Sequence, residues 1–199
     1  MNTQQGIIMP HILSILLLTL FLYPVAVAAE VLDSSAGGFT SQSTATIAAS
    51  PAEVYAKLVQ GVGVWWSSDH TVSGKAANLQ IDATQGGCFC ESLPTGGKVQ
   101  HLSVVHADPG RLLRMQGGLG PLQSEGVTGS LSWALAEIDG GTQVTVTYAV
   151  GGYVSGGLDA WAEGVDRVVN DQLARLARYV ATGDPEEPSA EHNPGEKVD

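Results

Sequence analysis

The chain has 199 residues, enough for one domain with appendages, and a formal net charge of −11. It carries no cluster of basic residues, and an acidic chain of this kind is a poor partner for nucleic-acid phosphates or anionic lipid surfaces. No Walker loop, G-x-G-x-x-G, G-x-S-x-G or H-E-x-x-H pattern is present, which argues against nucleotide hydrolysis and the standard hydrolase chemistries.

The first expected element is not part of the fold. Residues 12–23 form an apolar run, and Pro24 and the small-x-small triplet Ala26-Val27-Ala28 follow it. This reads as a secretory signal peptide over residues 1–28, so the mature protein is expected to be secreted or periplasmic and not stably inserted in a membrane. No Lys or Arg precedes the run, and an uncleaved membrane anchor is the alternative. Residues 29–38 are small and polar and read as a linker.

Residues 39–48 alternate loosely and are rich in Thr, as a first strand would be. Ser50-Pro51-Ala52-Glu53 is a helix start: Ser50 can cap, Pro51 suits the first turn, and Glu53 can complete a capping box. Val54, Tyr55, Leu58 and Val59 form the apolar face of that helix, and Gly61 and Gly63 end it. Trp65-Trp66-Ser67-Ser68 reads as a second short helix or turn. Adjacent tryptophans are not expected to point inward together, so either one lines a cavity mouth while the other packs, or, on the plainer reading, the pair is a hydrophobic plug that fixes the short helices to the sheet. Asp69 and His70 are sequence neighbours that could form an acid/base pair, although such neighbours usually point apart.

Six strands are expected next, near 79–83, 88–93, 98–107, 111–116, 129–138 and 142–150, with Gly-rich turns between most of them. Leu131, Trp133 and Leu135 share one face, as do Val144, Val146, Tyr148 and Val150. Residues 117–126 are too rich in glycine for a strand and read as a mobile loop. Cys88 and Cys90 lie two apart on one strand. Their Cβ atoms would be too far apart for a disulfide, so two buried thiols are expected. The Cys-x-Cys spacing with His101 lacks a zinc-site pattern, and neither metal nor cofactor is expected. Glu91 shares a face with Phe89 and Leu93, where a carboxylate needs a partner. His106 is expected to face away from His101.

The last element organises the rest. From Ser155 to Thr182, Leu158, Trp161, Val165, Val168, Val169, Leu173, Leu176 and Val180 recur at helical spacing. Such a helix is about 35–40 Å long at roughly 1.5 Å per residue. Gly183 can close it in a left-handed cap, and Pro185 forbids continuation. Residues 183–199 read as an acidic, disordered tail. The expected architecture is α+β: a curved antiparallel sheet of about seven strands around one long C-terminal helix, with two short helices after the first strand.

This order resembles the helix-grip fold of the START-like (SRPBCC) superfamily, over residues 39–182. The stretches that carry the resemblance are Ser50–Leu58, Ala107–Leu113, Ser130–Thr147 and the Trp161-bearing helix. The chain looks closest to bacterial proteins similar to the Hsp90-ATPase activator C-terminal domain. The resemblance implies a cavity between sheet and helix, expected to be lined by Trp65, Trp66, Glu91, His101, Trp133, Val146, Tyr148, Trp161 and Val165. Ala160, Ala162 and Gly164 would leave room for it. The implied function is binding of a small, largely apolar molecule rather than catalysis. The alternatives are a polyketide cyclase/dehydratase-like enzyme with a pocket acid/base, and a co-chaperone-like interaction module.

Overall fold

The computed structural model describes residues 27–187; the apolar run 12–23 and residues 188–199 lie outside them. Among the described residues eight antiparallel strands form one sheet: β1 (Val27–Ser35), β2 (Gly38–Ile47), β3 (Leu79–Ile81), β4 (Cys88–Ser92), β5 (Lys98–Asp108), β6 (Leu112–Gln116), β7 (Gly126–Ile138) and β8 (Gly141–Tyr153). Their spatial order is β1-β2-β8-β7-β6-β5-β4-β3, so among the described residues β1 and β3 are the edge strands. Helices α1 (Pro51–Gln60) and α2 (Val62–Trp65) follow β2, and the long α3 (Asp159–Thr182) ends the fold. This is the α+β helix-grip arrangement expected from the sequence.

Local chemistry explains the boundaries. The Ser50 hydroxyl accepts the Glu53 N–H at 3.3 Å and Pro51 opens α1, whose Val54, Tyr55 and Leu58 are buried. Gly183 caps α3 with φ of 83°, a left-handed conformation that costs glycine little, and its N–H bonds to the Tyr179 carbonyl. In β7 and β8 the alternation holds: Leu131, Trp133, Leu135, Val144, Val146, Tyr148 and Val150 are all buried on the inner face.

Side chains of α3 fix its position on the sheet and short helices. Asp166 accepts the Ser41 hydroxyl at 2.8 Å, and Gln172 Oε1 accepts the Ser67 N–H at 2.9 Å. Arg175 Nε donates to the Trp65 carbonyl at 2.9 Å. The C-terminal half of the stripe, from Val169 through Leu173, Leu176 and Ala177, is packed in the core. Trp161, Val165 and Val168, on the same stripe nearer the N-terminus, are only half-buried.

Several expectations are corrected. Residues 29–35 are not a linker but most of β1, which pairs with β2 and rests Val27 and Val31 on the core. Only every fourth residue of β1 is inward, so its sequence lacks the alternation of a strand. The loop after β6 is ordered by a 3-10 turn at Gly120–Ser124 with Leu122 buried. The start of the acidic tail is held too: Arg175 forms a bidentate pair with Glu186, and Arg178 Nε donates to the Pro185 carbonyl at 2.7 Å. Cys88 and Cys90 are not free thiols but form a disulfide, with Cα atoms 5.4 Å apart. A register shift between Phe89 and Cys90 distorts β4 at that point, and an ideal strand would hold the two residues further apart.

Candidate functional site

A cavity of about 650 Å³ lies between the N-terminal half of α3 and the β4–β5 end of the sheet. Ala160, Trp161, Gly164, Val165, Val168 and Val169 form its α3 wall. Phe89 and His101 supply the sheet wall, Leu119, Gly120 and Pro121 one rim, and Trp66 with residues 69–72 the other. Ala160 and Gly164 create the space, because larger side chains there would project into it. Ala162, expected to do the same, is buried in the core instead.

The sheet wall is set by packed aromatic rings. Trp133 meets Trp65 edge-on at 5.7 Å between centroids, Trp65 meets Trp66 at 5.5 Å, and Trp66 meets Phe89 edge-on at 5.1 Å. Phe89 in turn lies 5.1 Å from the His101 ring. Trp65 and Trp66 are both buried, contrary to the expectation that they could not both point inward, while Trp65 packs in the core and Trp66 also borders the cavity. The chain leaves the helical conformation at Trp66, which lets the two rings diverge inside the core. Each indole N–H is satisfied by a carbonyl, Trp65 by Leu58 at 3.1 Å and Trp66 by His70 at 3.0 Å.

Glu91 and His101 form a buried pair. The imidazole Nε2 is 2.9 Å from Glu91 Oε2, and the carboxylate also accepts the backbone N–H groups of Val72 and Ser73. Burial alone would raise the Glu91 pKa, but the hydrogen bonds from Ser73, Val72 and His101 outweigh it and hold the carboxyl below its ordinary range. His101 reaches this face through a bulge. Leu102 pairs with Phe89 and Gln100 with Cys90, which leaves His101 as the unpaired extra residue, so His101 and Leu102 are buried side by side. His106 is exposed.

Of the nine residues expected at the site, Trp66, His101, Trp161 and Val165 line the cavity. Glu91 stands behind His101 and fixes it. Trp65, Trp133, Val146 and Tyr148 do not line the cavity but fill the solid core beneath it. Trp161 therefore bounds open space instead of packing on Trp133 and Tyr148. Tyr148 acts on the site at one remove: its hydroxyl donates to the Gly117 carbonyl at 3.0 Å and accepts the Leu119 N–H at 2.9 Å. Burial pushes its phenol up to about 12. Gly129 makes room for it, since a Cβ there would stand 2.5 Å from the Tyr148 ring. The Leu119–Pro121 rim and Val72 were missed by the sequence reading. Glycine richness marks the first as a loop, and nothing in the sequence places it over the helix. Asp69 and His70 both lie on the rim, and no hydrogen bond joins their side chains. Among the described residues no group of three or more His, Cys, Asp or Glu is placed to hold a metal ion, and no helix is long and apolar enough to cross a membrane.

A long helix gripped by a curved antiparallel sheet, with a largely apolar cavity between them, defines the helix-grip class. Residues 39–181 match the family model described as polyketide cyclase / dehydrase and lipid transport, and the chain belongs to that family. No curated protein matches. Among solved structures, a conserved protein of unknown function from Enterococcus faecalis aligns with TM-score 0.55 and 15% identity, over 78% of this chain and 80% of that one. A protein of the dynemicin biosynthetic locus, DynU16, aligns with TM-score 0.51 and 20% identity over 72% of this chain, which spans 48% of that one. CalU16 from Micromonospora echinospora aligns with TM-score 0.50 and 15% identity, over 82% and 88% of the two chains. At these identities the likeness is one of fold. The narrower resemblance to the Hsp90-ATPase activator gains no support from the matching family.

Proposed function

We propose that this protein binds a small, largely apolar molecule in the cavity between α3 and the sheet. The observation that carries the reading is the cavity itself: about 650 Å³, walled by Trp66, Phe89, Leu119, Trp161, Val165 and Val168, with one buried polar pair at its side. Apolar walls with few orienting groups are the composition of a ligand site. Burial of apolar ligand surface would supply affinity, and Glu91–His101 would orient the molecule. The test is titration with a neutral apolar fluorophore, N-phenylnaphthylamine. Saturable binding is expected in the wild type, weakened about tenfold or more in Trp161→Ala, which removes a wall. The same substitution should cost only about 1–2 kcal/mol in a denaturant melt, because the indole faces open space. Trp133→Ala, in the packed core, should cost about 3–5 kcal/mol. Absence of saturable binding in the wild type would overturn the reading.

The same pair supports a second reading, a cyclase- or dehydratase-like enzyme. A carboxylate-held imidazole at a largely apolar wall can move a proton to or from a bound molecule. A single such pair among apolar walls favours binding over catalysis. The interaction-module reading finds less support: among the described residues the large apolar side chains that are exposed, Leu32, Val64, Val72, Val105, Ile138 and Tyr153, are scattered over six segments.

Export is part of the proposal. The run over residues 12–23 followed by Ala26-Val27-Ala28 motivates it. The Cys88–Cys90 disulfide supports it, since such bonds persist chiefly in oxidising compartments. Protein recovered from the producing cells should begin near Glu30 and show no free thiol when unfolded without reductant. An intact Met1 on membrane-bound protein would instead establish the anchored alternative.

A further inference from the structure

We infer that the cavity selects neutral ligands that donate a hydrogen bond, such as apolar alcohols, phenols or aryl amines, and rejects carboxylate-bearing lipids of the same size. The inference rests on the proposed binding function and concerns the chemical class of the ligand.

Two observations point the same way. The first is charge. Among the described residues no Lys or Arg lines the cavity; its titratable lining residues are Asp69, His70 and His101, and Glu91 lies directly behind His101. A carboxylate entering this space would lose water and find other carboxylates, with no arginine or lysine to pair with. The hydrogen bonds that keep Glu91 ionised leave it negative in the range where a fatty acid is also negative.

The second is hydrogen-bond direction. An ionised carboxylate only accepts, so the 2.9 Å contact requires the proton on His101 Nε2. In a neutral imidazole Nδ1 is then the acceptor, and its position is set by a ring held between Glu91 and Phe89. Nδ1 has no hydrogen-bond partner among the described residues, and His101 is a cavity wall. The backbone N–H groups of Val72 and Ser73 are already engaged by Glu91 and do not compete as donors to a ligand. An acceptor on a fixed ring that borders apolar space favours a ligand that brings its own O–H or N–H. An otherwise identical ligand without that donor leaves the nitrogen desolvated and unpaired.

The test displaces N-phenylnaphthylamine from the wild-type protein with three ligands of one skeleton: a naphthol, the corresponding methoxynaphthalene and the corresponding naphthoate. At about pH 8 a phenol keeps its proton and a carboxylic acid is ionised. The naphthol should displace the probe at a concentration about tenfold below the ether, with the naphthoate weakest. In His101→Phe, which keeps the wall but removes the acceptor, the preference of naphthol over ether should fall to about twofold or less. If that variant does not fold, the wild-type series decides alone. Equal displacement by naphthol and ether, or displacement by naphthoate as strong as by naphthol, overturns the inference while leaving apolar binding intact. No saturable probe binding in the wild type overturns the binding function itself.

Discussion

Glu91 lies on the apolar inner face of β4, where a lone carboxylate would be strongly disfavoured. It stays charged there because two backbone N–H groups and His101 converge on it. The consequence is a dependence of stability on pH with a definite sign. The folded-state pKa is depressed, so as pH falls the unfolded chain takes up the proton first. The stabilisation is complete above the ordinary glutamate value of about 4.3, and it is lost as pH falls through the lower folded value. Glu91→Gln should cost about 1–3 kcal/mol at neutral pH and flatten this acid limb. Urea melts from neutral pH down to about pH 3, well past the ordinary glutamate value, would show it. An unchanged acid limb in the variant would mean that Glu91 is not the group responsible. The need for a partner is legible at Glu91 from its neighbours Phe89 and Leu93. That the partner is His101 is not, because the bulge in β5 breaks the alternation by which the facing of His101 would be counted.

At the scale of elements, the loop between β6 and β7 and the helix α3 show two ways of shaping one cavity. The loop carries little apolar surface of its own beyond Leu119 and Leu122, and Tyr148 of β8 holds it through two hydrogen bonds to its backbone. Tyr148→Phe should leave the sheet and core intact, since the ring stays, but strip the Leu119 N–H of its acceptor, while the Gly117 carbonyl keeps the Gly129 N–H at 3.0 Å. The expected cost is about 1–2 kcal/mol, with faster hydrogen exchange at Leu119 and several-fold weaker probe binding. If the Leu119 amide stays as protected as in the wild type, Tyr148 does not hold the rim. In α3 the apolar stripe is continuous in sequence yet serves two purposes. Its C-terminal half is buried in the core, while Trp161, Val165 and Val168 stand off the sheet and bound the cavity. Periodicity reports which side of a helix is apolar, not whether protein or space lies opposite.

For the whole molecule, the position of the cavity follows from where α3 is attached. Gln172 and Arg175 tie its second half to the Trp65–Ser67 segment, and Asp166 ties its first half to Ser41 on β2. These contacts hold the helix against one part of the sheet. Toward its N-terminus the curved sheet and the rim loops enclose a volume that Ala160 and Gly164 leave empty. The tryptophans divide accordingly: Trp65 and Trp133 are structural, Trp161 and one face of Trp66 border the cavity. A membership in the polyketide cyclase/dehydrase and lipid transport family accords with such a volume.

Local rules were sufficient for much of this chain. The capped start of α1, the alternation in β7 and β8, the stripe of α3 and its Gly183 cap all depend on residues within a few positions of one another. Together they determine the α+β class and the order of elements from β2 onward. Long-range geometry decided the rest. β1 is a strand because β2 offers it an edge, not because its own sequence alternates. Cys88 and Cys90 meet because of an irregular register with β5, and His101 turns inward through a bulge in that same pairing. The cavity holds four of the nine residues expected there because burial on a shared inner face does not distinguish a side chain that fills the core from one that borders empty space. That difference depends on the standoff between helix and sheet, which hydrogen bonds between residues more than a hundred positions apart establish.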